Sequence, residues 1–183
     1  LYLCVINLFG PKIARMRIFS TPKIIRLLFP NVYWKINTVE RAVYLTFDDG
    51  PTPVITEWVM DLLSSNQAEA TFFCIGEQVE KHPDIYKKLL VKGHAVGNHT
   101  YSHMHAWKTN HEVFMADVKR AALFIESNLF RPPYGKLTLR TCKLLKKSYN
   151  IVLWDIITFD WDKDVDASKV LDYLKKHTEN GSI

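Results

Sequence analysis

Cysteine is scarce in this sequence and never paired at metal-binding spacing. Cys4, Cys74 and Cys142 are odd in number and far apart, so no C-x-x-C zinc or redox motif exists and the redox compartment stays open. Cys74, inside the apolar run 70–75, reads as a buried structural thiol. No Gly-rich dinucleotide fingerprint follows the first strand pattern. No apolar run is long enough to cross a bilayer, since the opening stretch Leu1 to Phe9 is too short. Internal repeats, low-complexity tracts and long linkers are missing. So is the basic stripe that a nucleic-acid face requires.

What is present suits one globular domain with a sizeable core. Of 183 residues, 48% are hydrophobic, 13% aromatic and 23% charged. The net charge of +5 comes partly from lysine pairs at 87–88, 146–147 and 175–176, which read as solvated helix faces. Residues 1–41 form a lead-in to a domain over 42–183. Within the lead-in, residues 1–15 are either the tail of a signal or anchor segment or sequence upstream of a start at Met16, the reading we prefer. The basic, apolar stretch that follows lacks a small-residue cleavage site.

From Ala42 onward, apolar runs alternate with helical patterns. Val43–Phe47 reads as a buried strand closed by the turn Asp48-Asp49-Gly50-Pro51. A helix over 53–65 would turn Ile55, Val59, Leu62 and Leu63 inward. Strand 70–75 stops at Gly76, and a helix over 83–92 buries Ile85, Leu89 and Leu90 before Gly93 ends it. Strand 94–97 runs into a histidine-rich loop. A long helix over 111–127, a loop at 131–135, a helix over 138–148, a strand over 151–154 and a helix over 167–177 follow. Gly181-Ser182-Ile183 looks like the start of one more strand. Units of roughly 25–30 residues argue for an α/β fold with a parallel sheet. Both an open doubly wound sheet and a barrel fit, with the barrel slightly favoured.

Residues with chemical capability sit directly after the strands, where such folds gather their ligand sites. In Asp48-Asp49, one carboxylate can hold a metal while its neighbour stays free as a base; a turn-capping pair is the plainer alternative. His99 and His103, four apart, lie on one face of a helical turn and can reach one ion, and His94, His105 and His111 enrich the region. An Asp with two His leaves positions open for water, as a catalytic site does. The double proline of Arg131-Pro132-Pro133-Tyr134-Gly135 fixes a loop that can aim the Tyr134 N–H at an oxyanion, with Arg131 placed to lie against Asp48. Trp154 and Trp161 flank a strand end that carries Asp160, which orients a catalytic histidine or caps the next helix.

Taken in order, Thr46-Phe47-Asp48-Asp49-Gly50-Pro51, His99-Thr100-Tyr101-Ser102-His103, Arg131-Pro132-Pro133-Tyr134 and Asp160-Trp161 resemble the motifs of the NodB-homology polysaccharide deacetylases, carbohydrate esterase family four. The resemblance covers about Ala42 to Ile183. It implies a distorted (β/α) barrel of about seven strands that removes acetyl groups from N-acetylated sugars. It implies one divalent metal, zinc by preference, held by Asp49, His99 and His103. Asp48 would be the base, Arg131 would position it, and the Tyr134 N–H would complete the oxyanion hole. Asp160 would tune the catalytic acid, while Trp161 and Pro132 would contact substrate. Ile157 stands where many members carry a further Asp. The motif that supplies the acid histidine would begin at Gly181-Ser182-Ile183, so these 183 residues are expected to be impaired without it; His177, on a helix, is no substitute. The expected partner is a polysaccharide, with no nucleic acid, no strong membrane signal and a monomeric chain; the family is biased to the cell envelope. The alternatives are a non-catalytic carbohydrate-binding scaffold and a metallohydrolase of another amide or ester.

Overall fold

The computed structural model describes residues 20–183, so the opening apolar run, Cys4 and the Met16 start lie outside it. Its strands are β1 (Val32–Tyr33), β2 (Thr46–Asp48), β3 (Thr71–Cys74), β4 (Ala95–Asn98), β5 (Leu129–Phe130) and β6 (Asn150–Val152). Seven α-helices accompany them: α1 (Lys23–Leu28), α2 (Ile55–Ser65), α3 (Gly76–Lys81), α4 (Pro83–Val91), α5 (His111–Ala121), α6 (Leu139–Leu145) and α7 (Ala167–His177). All strand pairings are parallel, in the order β1-β6-β5-β4-β3-β2. The sheet curls into a half-barrel, the expected α/β architecture with six strands described.

Local chemistry explains most boundaries. The Asn110 side chain caps α5 by accepting from the Glu112 N–H, Thr138 caps α6 through Thr141 N–H, and Asp166 caps α7 through Ser168 N–H. Pro83 opens α4, where its missing N–H costs nothing. Helix α2 turns Thr56, Val59, Met60 and Leu63 inward, and Ile55 and Leu62 are exposed. Thr56 is drawn in because its Oγ1 accepts the Thr52 N–H at 2.8 Å. Leu90 is likewise exposed on α4, outside the stripe set by Ile85 and Leu89.

Three further expectations are corrected. The segment before β2 is not buried: Val43, Tyr44 and Leu45 are exposed because β2 ends the strand order and has a strand neighbour on one side only. Gly76, expected only as the stop of a strand, also starts the helix α3; a Cβ there would lie 2.8 Å from the Tyr101 ring, so its small size serves packing. Helix α5 stops at Ala121, and Ile125 enters the core from the turn beyond it.

Two apolar clusters lie side by side against the same face of the sheet. One joins Val59, Met60 and Leu63 of α2 to Phe72 and Cys74 of β3, Leu89 of α4 and Val96 of β4. The other joins Val32, Phe114, Val118, Phe130, Leu145 and Ile151. Cys74 is fully buried, and burial pushes its thiol up to about 12. Phe73 alternates to the opposite face from Phe72 and fills the space over Gly97, where a Cβ would come within 2.5 Å of its ring.

The segment 181–183 forms an isolated antiparallel bridge, Lys35 with Ser182, where a strand start was expected. It is buried and bonded on both sides. Tyr44 N–H donates to Ser182 O and Gly181 N–H to Ala42 O, while the Asp155 and Ile156 N–H groups donate to Ile183 O.

Candidate active site

Register places the carboxyl ends of β2, β3, β4 and β5 in one row. Asp48 lies opposite Phe73, Cys74 opposite Asn98, and Asn98 opposite Phe130. Asp49, His99 and Arg131 each stand one residue beyond a strand end. The chain turns sharply there, with left-handed φ at Asp49 (69°), Thr100 (65°), His103 (55°) and Tyr134 (61°). Four non-glycine residues in this region around one centre mark a locally strained site.

Asp49 Oδ1 lies 3.1 Å from His103 Nε2 and 3.4 Å from His99 Nε2. The three ligand atoms fall within 4.8 Å of one another. Ligands at the usual zinc distances of about 2.0–2.1 Å, arranged tetrahedrally, stand about 3.3 Å apart, so the residues present fit such an ion. The hydrogen bonding favours the same reading. His99 Nδ1 is 2.7 Å from the Arg131 carbonyl oxygen, which can only accept, so Nδ1 carries the proton. In a neutral ring with the proton there, Nε2 is the lone-pair nitrogen, and it faces the Asp49 carboxylate. Two acceptors facing each other call for a cation, and the carbonyl plays the orienting part usual behind a metal-binding histidine. When protonated at Nε2, the His103 and His99 rings donate to Asp49 and hold its carboxyl well below the usual carboxylate range.

His99 and His103 do not share a helical turn, as their spacing suggested. They lie in a loop, and positive φ at Thr100 and His103 turns the second imidazole back toward the first, ring centres 5.2 Å apart. Asp117 of α5 holds that loop: its carboxylate accepts from Tyr101 N–H at 2.9 Å, Ser102 N–H at 3.0 Å and the Ser102 hydroxyl at 2.9 Å. Asn98, fully buried, accepts from Thr100 N–H and donates to Val118 O. Neither residue stood out in the sequence. The available signal was a carboxylate at 117 among the core-facing positions 114, 118 and 121.

Arg131 is 2% exposed and fully engaged. Its Nη1 donates to Asp48 Oδ1 at 2.9 Å and Thr46 Oγ1 at 2.7 Å, Nη2 to Leu153 O at 3.0 Å and Nε to Val152 O at 3.2 Å. Its guanidinium carbon sits 4.2 Å from the centre of the Phe73 ring. Burial pulls its pKa below the ordinary value, and the Asp48 charge opposes that fall. Asp48 thus has one oxygen tied to a fixed cation and its side chain 30% exposed. Among the described residues no acceptor takes the Tyr134 N–H. The Tyr134 ring packs on His103 at 4.6 Å. Pro132 is buried and presents little surface to a substrate; its carbonyl accepts from Gly135 N–H.

The other sequence candidates stand apart. Asp160 accepts from the Thr158 hydroxyl and lines a groove of about 330 Å³ against α7. Trp161 is exposed and packs on Phe159. Neither touches the cluster by hydrogen bond, ion pair or ring contact. His111 faces Glu112, His177 stacks on Tyr173, and buried His94 lies at the far end of β4.

Comparison with known proteins agrees with the motifs. Residues 35–150 match the sequence model of the family described as polysaccharide deacetylase. The chain is 34% identical over 164 residues to a peptidoglycan-N-acetylglucosamine deacetylase of Bacillus cereus, covering 83% of this chain and 75% of that protein. It is 35% identical over 123 residues to chitin deacetylase 1 of Saccharomyces cerevisiae, covering 63% of this chain but 40% of the yeast protein. The crystal structure of the Bc1960 peptidoglycan N-acetylglucosamine deacetylase superposes with a TM-score of 0.80 at 30% identity, over 88% of this chain and 78% of that one.

Proposed function

This chain belongs to the polysaccharide deacetylase family, and from that premise we propose that it hydrolyses the acetamido group of N-acetylated sugars in a polysaccharide, using one divalent metal ion. The observation that carries the reading is the pairing of two carboxylates with different surroundings. Asp49 faces two imidazoles, and its neighbour Asp48 faces one buried guanidinium.

Asp49, His99 and His103 would hold the ion. When bound, such an ion acidifies a water and polarises an acetyl oxygen. The chain's own residues do the rest. Asp48, oriented through Oδ1 by Arg131, keeps Oδ2 for the proton of the attacking water. The Tyr134 N–H, left without an acceptor by the loop's left-handed turn, donates to the oxygen that becomes negative as the carbonyl is attacked. The side chain of Tyr134, packed on His103, walls one flank of the centre and limits water there.

Acetate release from N-acetylated chito-oligosaccharides and from peptidoglycan strands tests the reading, on protein stripped with a chelator and then reloaded with zinc. We expect release that depends on the metal. Asp48→Asn should lower kcat by about 10²–10⁴-fold, the range for losing a general base, and leave zinc bound. Asp49→Ala should lose zinc itself. Absence of release from both glycans with stoichiometric zinc, or release indifferent to Asp49→Ala, would overturn it.

A further inference from the structure

Beside the centre lies a second group of polar side chains that the reaction above does not use. His105 Nδ1 accepts the Trp107 N–H at 3.1 Å. In a neutral imidazole that bond puts the ring proton on Nε2. Nε2 faces Lys136 Nζ at 3.4 Å. An ammonium has only protons to offer, so two donors point at one another and no hydrogen bond joins them. Among the described residues no carboxylate pairs with Lys136. Lys108 adds positive charge felt by both groups.

The pair is held in this arrangement from several sides. His105 stacks on Tyr134, ring centres 4.9 Å apart and 28° from parallel. Lys136 Nζ sits 5.4 Å from the centre of the Trp107 ring, which is itself anchored by Nε1–H to Leu137 O at 2.9 Å. The Tyr134 ring joins this group to the centre, packing on His103 as well as on His105. Converging, preorganised donors with a net positive charge and no internal acceptor constitute a receptor for an anionic oxygen. Trp107 and Tyr134 beside them are exposed residues, and aromatic surface of this kind suits a sugar ring.

We infer that His105 Nε2–H and Lys136 Nζ bind a carboxylate carried by a sugar neighbouring the one that is deacetylated, so that the enzyme prefers acidic glycans such as peptidoglycan strands over neutral, chitin-like ones. This deepens the deacetylase reading and rests on it for the meaning of the preference.

Equilibrium binding separates the two ideas. The probes are a soluble fragment of alternating N-acetylglucosamine and N-acetylmuramic acid and the same fragment with its carboxylates methyl-esterified, titrated into the zinc-loaded protein. The wild type should bind the acid form about tenfold more tightly than the ester. Lys136→Met and His105→Phe, the latter keeping a ring against Tyr134, should each bring that ratio to within twofold, and Lys136→Arg should keep most of it. Equal affinity for acid and ester in the wild type, or a preference that survives both Lys136→Met and His105→Phe, would overturn the inference. Acetate release is scored separately. Release without the preference sinks the anionic subsite alone, whereas a preference with no release from either probe keeps the subsite and sinks the deacetylase reading.

Discussion

Arg131 is the side chain through which the centre and the sheet depend on each other. Its four hydrogen bonds run to β2, to β6 and to the residue after β6, and its flat face rests on Phe73. Arg131→Met keeps much of the volume but leaves Asp48 facing an apolar side chain and strips two carbonyls of their donors. The loss should be about 3–5 kcal/mol, the cost of breaking a buried pair from one side, with chemical unfolding as the measurement. Lys is no conservative replacement, since one ammonium cannot reach four acceptors laid out for a planar fork. His94 presents the opposite case. It is 5% exposed, neither ring nitrogen has a hydrogen-bond partner among the described residues, and burial lowers its pKa. The unfolded chain therefore binds this proton more readily than the folded one, so stability should fall as pH drops below the ordinary histidine value of about 6.5. His94→Phe, placed against Phe72, should raise stability at pH 5.5 by about 1–3 kcal/mol and flatten the pH dependence between 7 and 5.5. An unchanged melting temperature at pH 5.5 would count against this account.

At the scale of elements, the residues that the sequence made conspicuous and those that position them belong to different classes. Asp48, Asp49, His99, His103 and Arg131 could be read because each sits one or two residues past an apolar run, or a fixed step from another histidine, and local pattern is visible in a linear string. The short helix α3 was hidden because Gly76 looks like a terminator, whereas its missing Cβ admits the Tyr101 ring. The exposure of Val43, Tyr44 and Leu45 was hidden because edge or centre is a property of strand order, not of a strand's own residues. Asp117 was hidden for a related reason: its partners at 101 and 102 become its neighbours only once α5 packs beneath the histidine loop. That packing has a measurable consequence. Asp117→Ala frees two N–H groups and a hydroxyl in the loop between His99 and His103. Zinc affinity, read by competition with a chromogenic chelator, should fall by about tenfold, the lower end for losing a residue that orients ligands. Far-ultraviolet circular dichroism should remain that of the wild type, because α5 keeps Phe114, Val118 and Ala121 in the core. An affinity within twofold of wild type would show that the loop keeps its shape without this carboxylate.

Across the whole molecule, the order β1-β6-β5-β4-β3-β2 leaves β1 and β2 as the two outer strands of a curled sheet, and the segment 181–183 is bonded to the chain beside both. Its carbonyls and amides reach residues 36, 42 and 44 on one side and residues 155 and 156 on the other. The fastening is Asp155, 6% exposed, whose Oδ2 accepts the Ser182 hydroxyl at 2.8 Å and whose Oδ1 accepts the Ile183 N–H at 2.9 Å. Thr21 joins the same corner by donating its N–H to Asp155 O and its hydroxyl to Trp154 O. Through its carboxylate and its backbone carbonyl, Asp155 thus couples the segment 181–183 and the start of the described chain to the residues after β6, beside the approach to β2, which leads directly to Asp48 and Asp49. Asp155→Ala would strand two buried donors, at a cost of about 1–3 kcal/mol each. The loss should be local before it is global, because few apolar contacts hold residues 35–45 apart from this seam. Hydrogen exchange should therefore quicken first at Ile36, Tyr44 and Ser182, while amides of β3 and β4 keep their wild-type protection. Asp155→Asn retains an acceptor for one of the two donors and should fall between the two in both stability and exchange. Uniform acceleration across β3 and β4 in Asp155→Ala would mean that the seam and the sheet unfold as one unit, and that Asp155 stabilises the whole fold without selectively coupling its open side.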